Sequence, residues 1–260
     1  MPNTVYENVV IGNKAAEILT TKVDLNAYVT IDEDLVEQAG MKKTIHTYTS
    51  TGNVEDLAQG VGNSGDIAVT FSAKDYTVVT TQGRFQYFDE QAMKDPKIVE
   101  VGVTNSAKEM INDFSAKAIA EYEKATLATT PAAWSFDAVV DAIGKMELED
   151  ETGLFLLISP KDKAAFRKAL GDDLKYAESF ARTGYIGTVC GVPVIWSNAV
   201  PAGKGYLATK EAVTLFMKKD TEVEQERDAN LRNNVVYIRK VSVVALTDAT
   251  KVVKITITQG

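Results

Sequence analysis

The clearest periodic pattern lies near the middle of the chain, where apolar residues recur at helical spacing. From residue 106 onward they return every three or four positions, and charged residues such as Asp113 and Glu123 occupy the opposite face. Ser106 followed by Glu109 has the spacing of a capping box, in which two side chains satisfy free backbone N–H groups. The pattern predicts a long amphipathic helix over residues 106 to about 126. Its predicted inward residues are Ala107, Met110, Ile111, Phe114, Ala118, Ile119, Tyr122 and Ala125.

Residues 41 to about 90 have the alternation of β-strands. Residues 44–49, 67–71 and 76–80 are rich in β-branched and aromatic residues, and the glycine-rich segments 50–53 and 60–65 lie between the first two. This order predicts a long two-stranded hairpin with a polar tip. Its strands contain many threonines and few large apolar residues, and isolated hairpins are marginally stable in water. We therefore expect the hairpin to rest on a partner surface.

Two short helices are predicted before the hairpin, over residues 11–21 and 31–40. The second has Asp32 as a plausible N-cap and Gly40 as a plausible stop.

The chain after residue 127 has a mixed α/β pattern. Ser135 is positioned to cap one helix, and Ser159 followed by Pro160 begins another. A polar, glycine-containing loop follows over residues 171–187, and an acidic-basic segment over residues 221–234 separates two groups of strands. Predicted strands cover residues 153–158, 192–196, 205–208, 212–217, 235–246 and 251–257. The residues expected on the apolar side of the two helices are Phe136, Val139, Val140, Ile143 and Met146 in the first, and Phe166, Ala169 and Leu170 in the second.

Composition limits the class of protein. The 260 residues are 45% hydrophobic, enough for a sizeable core in one large domain or two smaller ones. The net charge of −8 argues against specific nucleic-acid binding, which needs a basic surface. A single cysteine excludes an internal disulfide and fits a reducing cytoplasm. We expect no signal peptide, since the first residues lack its pattern, and no membrane contact, since no apolar segment approaches the ~20 residues of a spanning helix.

Four features of the sequence are candidates for chemistry. His46 lies in a threonine-rich strand, and Cys190 precedes an apolar strand far along the chain. We therefore predict a solvated histidine and a buried core cysteine instead of a catalytic pair. Residues 60–65 satisfy the GxGxxG pattern, but a strand follows where a phosphate-binding loop requires a helix. The acidic run 147–151 lacks EF-hand spacing and is expected to be a solvated loop, with a weak divalent-cation site as the alternative. The sequence thus predicts no catalytic, cofactor-binding or metal-binding residue, and no cofactor.

The order of these elements resembles the major capsid proteins of tailed bacteriophages, whose fold is also used by encapsulin nanocompartments. The most specific stretch is Cys190-Gly191-Val192-Pro193-Val194 with Asn198 after it, which is similar to a family segment of Gly, an apolar residue, Pro, Val and a later Asn. Residues 204–217 and 226–239 look like the strand pair that leaves the axial domain and the return to the peripheral domain.

The resemblance implies an α+β phage major capsid fold. It implies an N-terminal arm over residues 1–40 and an extended β-hairpin, the E-loop, over 41–90. A peripheral domain with a long spine helix would cover 91–132 and 214–260, and an axial domain would cover 133–213. Loop 171–187 would point to the capsomer axis, and segment 221–234 would meet other capsomers, although a solvated face is the alternative for its charges.

The function implied is a capsid subunit that self-assembles into hexamers and pentamers of an icosahedral shell around double-stranded phage DNA. The DNA would be contacted non-specifically. Expected partners are a separate scaffold protein, because few residues precede the E-loop in a chain that begins at Met1, together with a portal and a possible decoration protein. Assembly would take place in the host bacterial cytoplasm. The alternatives are an encapsulin-type compartment and, more distantly, a soluble α/β enzyme.

Overall fold

A computed structural model describes residues 5–6, 25–36, 39–170 and 187–258. The predicted helix over residues 11–21, and all but the last residue of the predicted loop 171–187, lie outside these ranges.

The described residues form an α+β fold, as predicted. The α-helices are α1 (Asp89–Lys94), α2 (Lys97–Tyr122), α3 (Phe136–Gly144) and α4 (Pro160–Ala169). The strands are β1 (Val5–Tyr6), β2 (Thr30–Asp32), β3 (Lys42–Thr51), β4 (Ala68–Thr77), β5 (Val79–Phe88), β6 (Leu127–Thr129), β7 (Leu154–Ile158), β8 (Thr188–Val189), β9 (Val192–Trp196), β10 (Lys204–Thr209), β11 (Val213–Asp228), β12 (Asn233–Leu246) and β13 (Val252–Thr256).

A five-stranded sheet is built on the long antiparallel pair of β11 and β12. Its strand order is β1-β11-β12-β5, and β2 pairs in parallel with β11. The predicted strand 212–217 thus continues to Asp228, through most of the segment expected to separate strands. Charged residues are accommodated there because they pair across the ribbon: Arg239 reaches Glu222 at 2.7 Å and also contacts Glu224.

The long helix α2 packs against β5 and β12 of this sheet. Its 26 residues correspond to about 39 Å. It begins at Lys97 directly after Pro96, so the predicted start at Ser106 is wrong. The Ser106 hydroxyl lies within the helix and donates to the Gly102 carbonyl at 2.9 Å. The inward face is otherwise as predicted, except that Phe114 is only half-buried.

The second sheet has six strands in the order β6-β13-β10-β7-β9-β8. Its central strand β7 is buried at every residue, as its apolar sequence predicts. The strand β13 pairs with β10 and β6, so the last described strand lies in this sheet and not beside β11 and β12.

Helices α3 and α4 begin where their caps predict. The hydroxyls of Ser135 and Ser159 accept hydrogen bonds from the backbone N–H groups of Ala138 and Asp162, both at 3.1 Å. Three residues expected to face inward are exposed instead: Phe136, Val140 and Ala169. The apolar faces of these helices are therefore broader than the surfaces they cover.

One buried cluster joins α2 to both sheets. Tyr122 of the helix contacts the ring of Phe155 in β7 and that of Tyr206 in β10, and the same cluster contains Leu215 and Val244 of the long ribbon. The two sheets therefore share a core.

The helix predicted over residues 31–40 is not present in the described part of that segment. Residues 30–32 pair with residues 214–216 as β2, and Asp32 then accepts from the backbone N–H of Asp34 at 2.9 Å in a turn. The Asp32 side chain thus accepts a backbone hydrogen bond as an N-cap would, but it does so in a turn, because pairing with β11 prevents a helix here. Among the described residues, no helix combines the length and apolarity needed to cross a membrane.

Candidate assembly surfaces

The predicted hairpin is present and forms a sheet of its own. Strands β3 and β4 pair from Lys42 opposite Thr77 to Thr51 opposite Ala68, and no other described strand joins them. Residues 52–67 form the loop at its tip. The third strand predicted there, over residues 76–80, is divided at Val78 between β4 and the first residues of β5.

One face of the hairpin is fixed to the body of the molecule at its base. Tyr76 stacks on Phe216 of β11 with ring centroids 5.1 Å apart, and its hydroxyl donates to the Leu246 carbonyl at 3.2 Å. Ile45 packs against the same cluster. Farther along this face lies a polar pair, Thr49 opposite Thr70. This attachment fixes the direction in which the opposite face points.

The opposite face carries the exposed large apolar side chains of the two strands. Tyr48 pairs with Phe71, their ring centroids are 5.5 Å apart, and Phe71 lies 5.0 Å from the ring of His46. Tyr48, Val69 and Phe71 are 68%, 63% and 57% exposed. We refer to His46, Tyr48, Val69 and Phe71 as the aromatic face. It is an exposed apolar surface with no cover among the described residues.

A groove lies between β5 and the first half of α2. It has a volume of about 620 Å³, and its lining includes Phe85, Val101, Asn105 and Met110. Phe85 lies directly on Gly102, because a Cβ at that position would be 2.3 Å from the ring. Val101 at the rim is 54% exposed. Among the described strands β5 pairs only with β12, so the groove follows a sheet edge.

The turn between β11 and β12 is a third exposed surface. Asp89 accepts hydrogen bonds from Arg227 at 2.8 Å and from Asn234 at 2.6 Å, which hold the base of the turn. The Arg227 guanidinium, followed by the Asn234 amide, lowers the pKa of the Asp89 carboxyl below its usual value. Leu231 at the apex is 61% exposed. The arrangement presents one apolar side chain on a well-supported turn.

Glu123 connects the C-terminal end of α2 to the six-stranded sheet. Its carboxylate accepts from Lys204 and from the Tyr206 hydroxyl, each at 2.7 Å, and lies 3.5 Å from Lys254. Partial burial raises the pKa of Glu123, but the hydrogen bonds from Lys204 and Tyr206 outweigh it and hold the pKa below its ordinary value. The sequence predicts Glu123 on the polar face of the helix, and in the structure its carboxylate joins the end of α2 to the six-stranded sheet.

The candidate chemical residues are not brought together. His46 is exposed on β3, and Cys190 lies in the tight turn between β8 and β9 with φ of +53°. Cys190 is half-buried, so its predicted place in the core is only partly right, and burial followed by the Glu151 charge raises the pKa of its thiol. Residues 60–65 lie in the hairpin tip, and the strand β4 follows, as predicted.

The acidic run 147–151 lies in the loop between α3 and β7. Asp150 accepts hydrogen bonds from the backbone and the hydroxyl of Thr152, both at 2.9 Å. Within the described residues, no group of three or more potential metal ligands is present. These hydrogen bonds stabilise a local turn.

The groove does not follow from the helical pattern of residues 106–126, because the helix that forms its wall already begins at Lys97. Pro96 was the available signal, since proline suits the first turn of a helix, and Val99 and Val103 continue the apolar spacing of residues 107–111 toward it. Exposed Leu231 and Val101 have no signal of their own, because exposure depends on tertiary neighbours.

Known proteins share this sequence pattern and fold. A family model described as "Phage capsid protein" matches residues 72–255. The major capsid protein of Staphylococcus phage phiMR11 is 26% identical over 254 residues, covering 92% of this chain and 88% of that protein.

Solved structures with the same fold include the mature capsid of bacteriophage PhiM1, at 13% identity and a TM-score of 0.72, covering 89% of this chain and 86% of that one. A virus-like particle from Pyrococcus furiosus gives 10% identity and a TM-score of 0.65, covering 94% and 96%. At such identities the likeness shows the fold alone. The family match, however, spans more than half of the sequence, so this chain belongs to the phage capsid protein family, whose members are structural proteins and not enzymes.

Proposed function

We propose that the chain forms the hexamers and pentamers of an icosahedral shell that encloses double-stranded phage DNA. Family membership makes it a component of the virion capsid, whose subunits assemble with copies of themselves. The observation that carries the finer proposal is the hairpin. Its aromatic face is exposed in the single chain, and burying exposed aromatic surface against another subunit is favourable.

The elements take the roles that the fold family implies. The β3–β4 hairpin with its tip is the E-loop, and α2 is the spine helix. The five-stranded sheet with α2 makes the peripheral domain. The six-stranded sheet with α3 and α4 makes the axial domain, and by strand pairing it includes β6 and β13, which the division at residues 132 and 214 would leave outside.

The net charge of −8 suits a wall that touches its DNA without binding it specifically. A separate scaffold protein, a portal and possible decoration proteins are the partners proposed for assembly, in the cytoplasm of the host. An encapsulin-type compartment is the alternative, and the family match favours the phage shell. The contents of purified particles separate the two, since a host compartment would contain protein cargo in place of DNA.

Assembly is tested on the purified full chain by sedimentation and negative-stain microscopy. Shells, or rings of five and six subunits, are expected at high protein concentration or with a scaffold protein added. A monomer that persists under those conditions and with crowding agents would count against the proposal.

A further inference from the structure

Helix α4 carries a cluster of positive charge that the surrounding residues do not neutralise. Its ten residues include four cations and a single carboxylate, although the whole chain has a net charge of −8. That carboxylate, Asp162, already accepts hydrogen bonds from the Ser159 hydroxyl at 2.7 Å and from the Gly203 backbone N–H at 2.8 Å. None of the cations forms an ion pair with another described residue. They are Lys161, Lys163, Arg167 and Lys168.

Several features of this cluster destabilise the isolated subunit. Lys161 lies in the first turn of α4, where the helix dipole favours negative charge. Lys163 and Arg167 lie one turn apart on the same side, and like charges at that spacing repel. Burial, followed by the Arg167 charge, lowers the pKa of Lys163. The Arg167 Nε is buried without an acceptor among the described residues. A bound anion would supply that acceptor and offset the repulsion.

The cluster covers the sides of α4 that do not pack against the sheet. Phe166 packs inward with the even-numbered residues of β7, whereas α2 meets the odd-numbered ones, so α4 and α2 lie on opposite faces of the six-stranded sheet. The Lys163 ammonium lies over the ring of Trp196 in β9, which holds it in place. Lys161 and Lys168 are exposed, and the exposed residues between them are alanines. The outer surface of α4 therefore consists of cations separated by small side chains.

We infer that this outer surface of α4 is where the subunit contacts the phosphate backbone of packaged double-stranded DNA. The inference rests on the proposed function and adds the contact surface to it. A contact with another protein would need an apolar centre with few charges, and α4 offers none. A duplex carries one negative charge about every 1.7 Å along its axis, so a helix of roughly 15 Å can meet several phosphates in any register.

The contact would be weak for one subunit and independent of base sequence. Lysine and arginine contacts to phosphates position a protein on a duplex but carry no sequence information. With roughly three or four such contacts, the logarithm of the binding constant should fall with the logarithm of the salt concentration with a slope of about −3. The net charge of −8 opposes binding elsewhere on the chain. In the proposed shell α4 would face the interior, where many subunits add their contacts.

The first test locates the surface without changing the protein. Unassembled subunits of the full chain are treated with an amine-acetylating reagent at low salt, with and without a short DNA duplex of mixed sequence, and each lysine is followed by mass spectrometry. We expect the duplex to protect Lys161 and Lys168 but not the exposed Lys94 and Lys97 on other elements. Inorganic phosphate at the same phosphate concentration should protect none of them. Polyglutamate serves as an acidic polypeptide of matched charge and should protect less than the duplex.

The second test removes the charge and measures duplex binding by fluorescence anisotropy over a range of salt concentrations. We expect the α4 variant to bind at least about tenfold more weakly at low salt and to lose about three from the salt slope. The control variant, with the same change in net charge at exposed lysines on other elements, should bind like the parent. The α4 variant combines Lys161→Gln, Lys163→Gln, Arg167→Gln and Lys168→Gln, and the control combines Lys94→Gln, Lys97→Gln, Lys145→Gln and Lys210→Gln.

The outcomes separate this inference from the proposed function, because shell formation by the parent is scored separately by microscopy. If shells form but the duplex does not protect Lys161 and Lys168, the DNA contact is overturned and the capsid proposal stands. The same holds if polyglutamate protects them as well as the duplex does, since the surface would then fit an acidic protein segment. If the parent forms neither shells nor rings, the capsid proposal is overturned, and packaged DNA falls with it as the partner. If the α4 variant does not melt like the parent, the protection result alone decides.

Discussion

At the scale of single residues, Glu123 adds a polar connection between the end of α2 and the six-stranded sheet beside the apolar contacts of Tyr122. It accepts a hydrogen bond from Tyr206, whose ring is fully buried, and it lies among Lys204 and Lys254. A buried hydroxyl left without an acceptor costs free energy, because no water replaces the lost bond.

We expect Glu123→Ala to lower the free energy of unfolding of the subunit by about 1–2 kcal/mol. The lower part of the usual range applies because the Glu123 side chain is 38% exposed, so water can solvate part of what is removed. Glu123→Gln, whose amide oxygen can still accept from Tyr206, should cost less. Urea unfolding of unassembled subunits measures the free energy of unfolding of both variants. Equal stability of the parent and Glu123→Ala would show that the contacts of Glu123 do not stabilise the subunit.

The same residue gives a prediction for pH. The pKa of Glu123 in the folded chain lies below its ordinary value of 4.5, since Lys204, Tyr206 and Lys254 favour the charged form. Its contribution to stability is therefore complete above pH 4.5 and is lost as the pH falls through the lower folded value. The stability difference between the parent and Glu123→Gln should be constant near neutral pH and shrink in acid. A difference that grows in acid would contradict the assigned direction.

Phe114 tests whether the burial of a side chain on α2 sets the free energy of unfolding that is lost when it is replaced by Ala. The sequence predicts a fully inward Phe114, for which replacement by Ala would cost about 3–5 kcal/mol. Because the ring is half-buried at the edge of the shared core, we expect Phe114→Ala to cost about 2 kcal/mol. Ile111→Ala, at a position that is 5% exposed, serves as the comparison and should cost at least as much. Thermal melting of both variants shows which of the two substitutions lowers stability more.

At the scale of elements, the hairpin tip is exposed at every residue from 52 to 67 except the half-buried Glu55. Residues 52–67 form no strand pairing, and they include Val54 at 88% exposure and Gly60 at φ of +85°. We expect proteases to cut free subunits there first and to spare the tip in assembled shells, because the proposed assembly would place a neighbour over the hairpin. Digestion followed by mass spectrometry locates the cut. Equal cleavage in free and assembled protein would show that the hairpin does not lie in the interface between subunits.

The elements that the sequence predicts well are those fixed by local chemistry. Ser135 and Ser159 cap helices because their hydroxyls reach N–H groups three residues away, and β7 is buried because all its residues are apolar. The start of α2 was missed because Val99, Val101 and Val103 also suit a strand, and packing against β5 and β12 decides for the helix.

The assembly surfaces were predictable only in part. The hairpin follows from alternation and turn residues, but its division into a fixed face and an aromatic face depends on where Tyr76 meets Phe216, far along the chain. The extension of β11 depends likewise on Arg239 lying opposite Glu222, a register that the sequence does not reveal. The groove requires β5 and α2 to lie side by side, which is a property of the folded chain.

At the scale of the whole molecule, α2 and the β11–β12 ribbon connect the two sheets. The shared core around Tyr122 and Phe155 fixes one end of both, and a separate cluster with Met110 and Val236 fixes the other. The β11–β12 ribbon, with strands of 16 and 14 residues, therefore extends from its exposed turn to the core shared with the six-stranded sheet.

The ribbon is interrupted between its two anchored ends. The regular pairing of β11 with β12 shifts between Met217 and Lys219 and again between Lys219 and Glu222, over strands that extend roughly 50 Å. Such irregularities bend and twist a ribbon locally while each half keeps its own core. In the proposed shell, identical chains at fivefold and sixfold positions would meet their neighbours at different angles, and this joint would give the subunit one place to absorb the difference. Superposing the two kinds of subunit on the six-stranded sheet should leave a rotation that begins at residues 217–222, and a rotation that begins elsewhere would assign the hinge to another element.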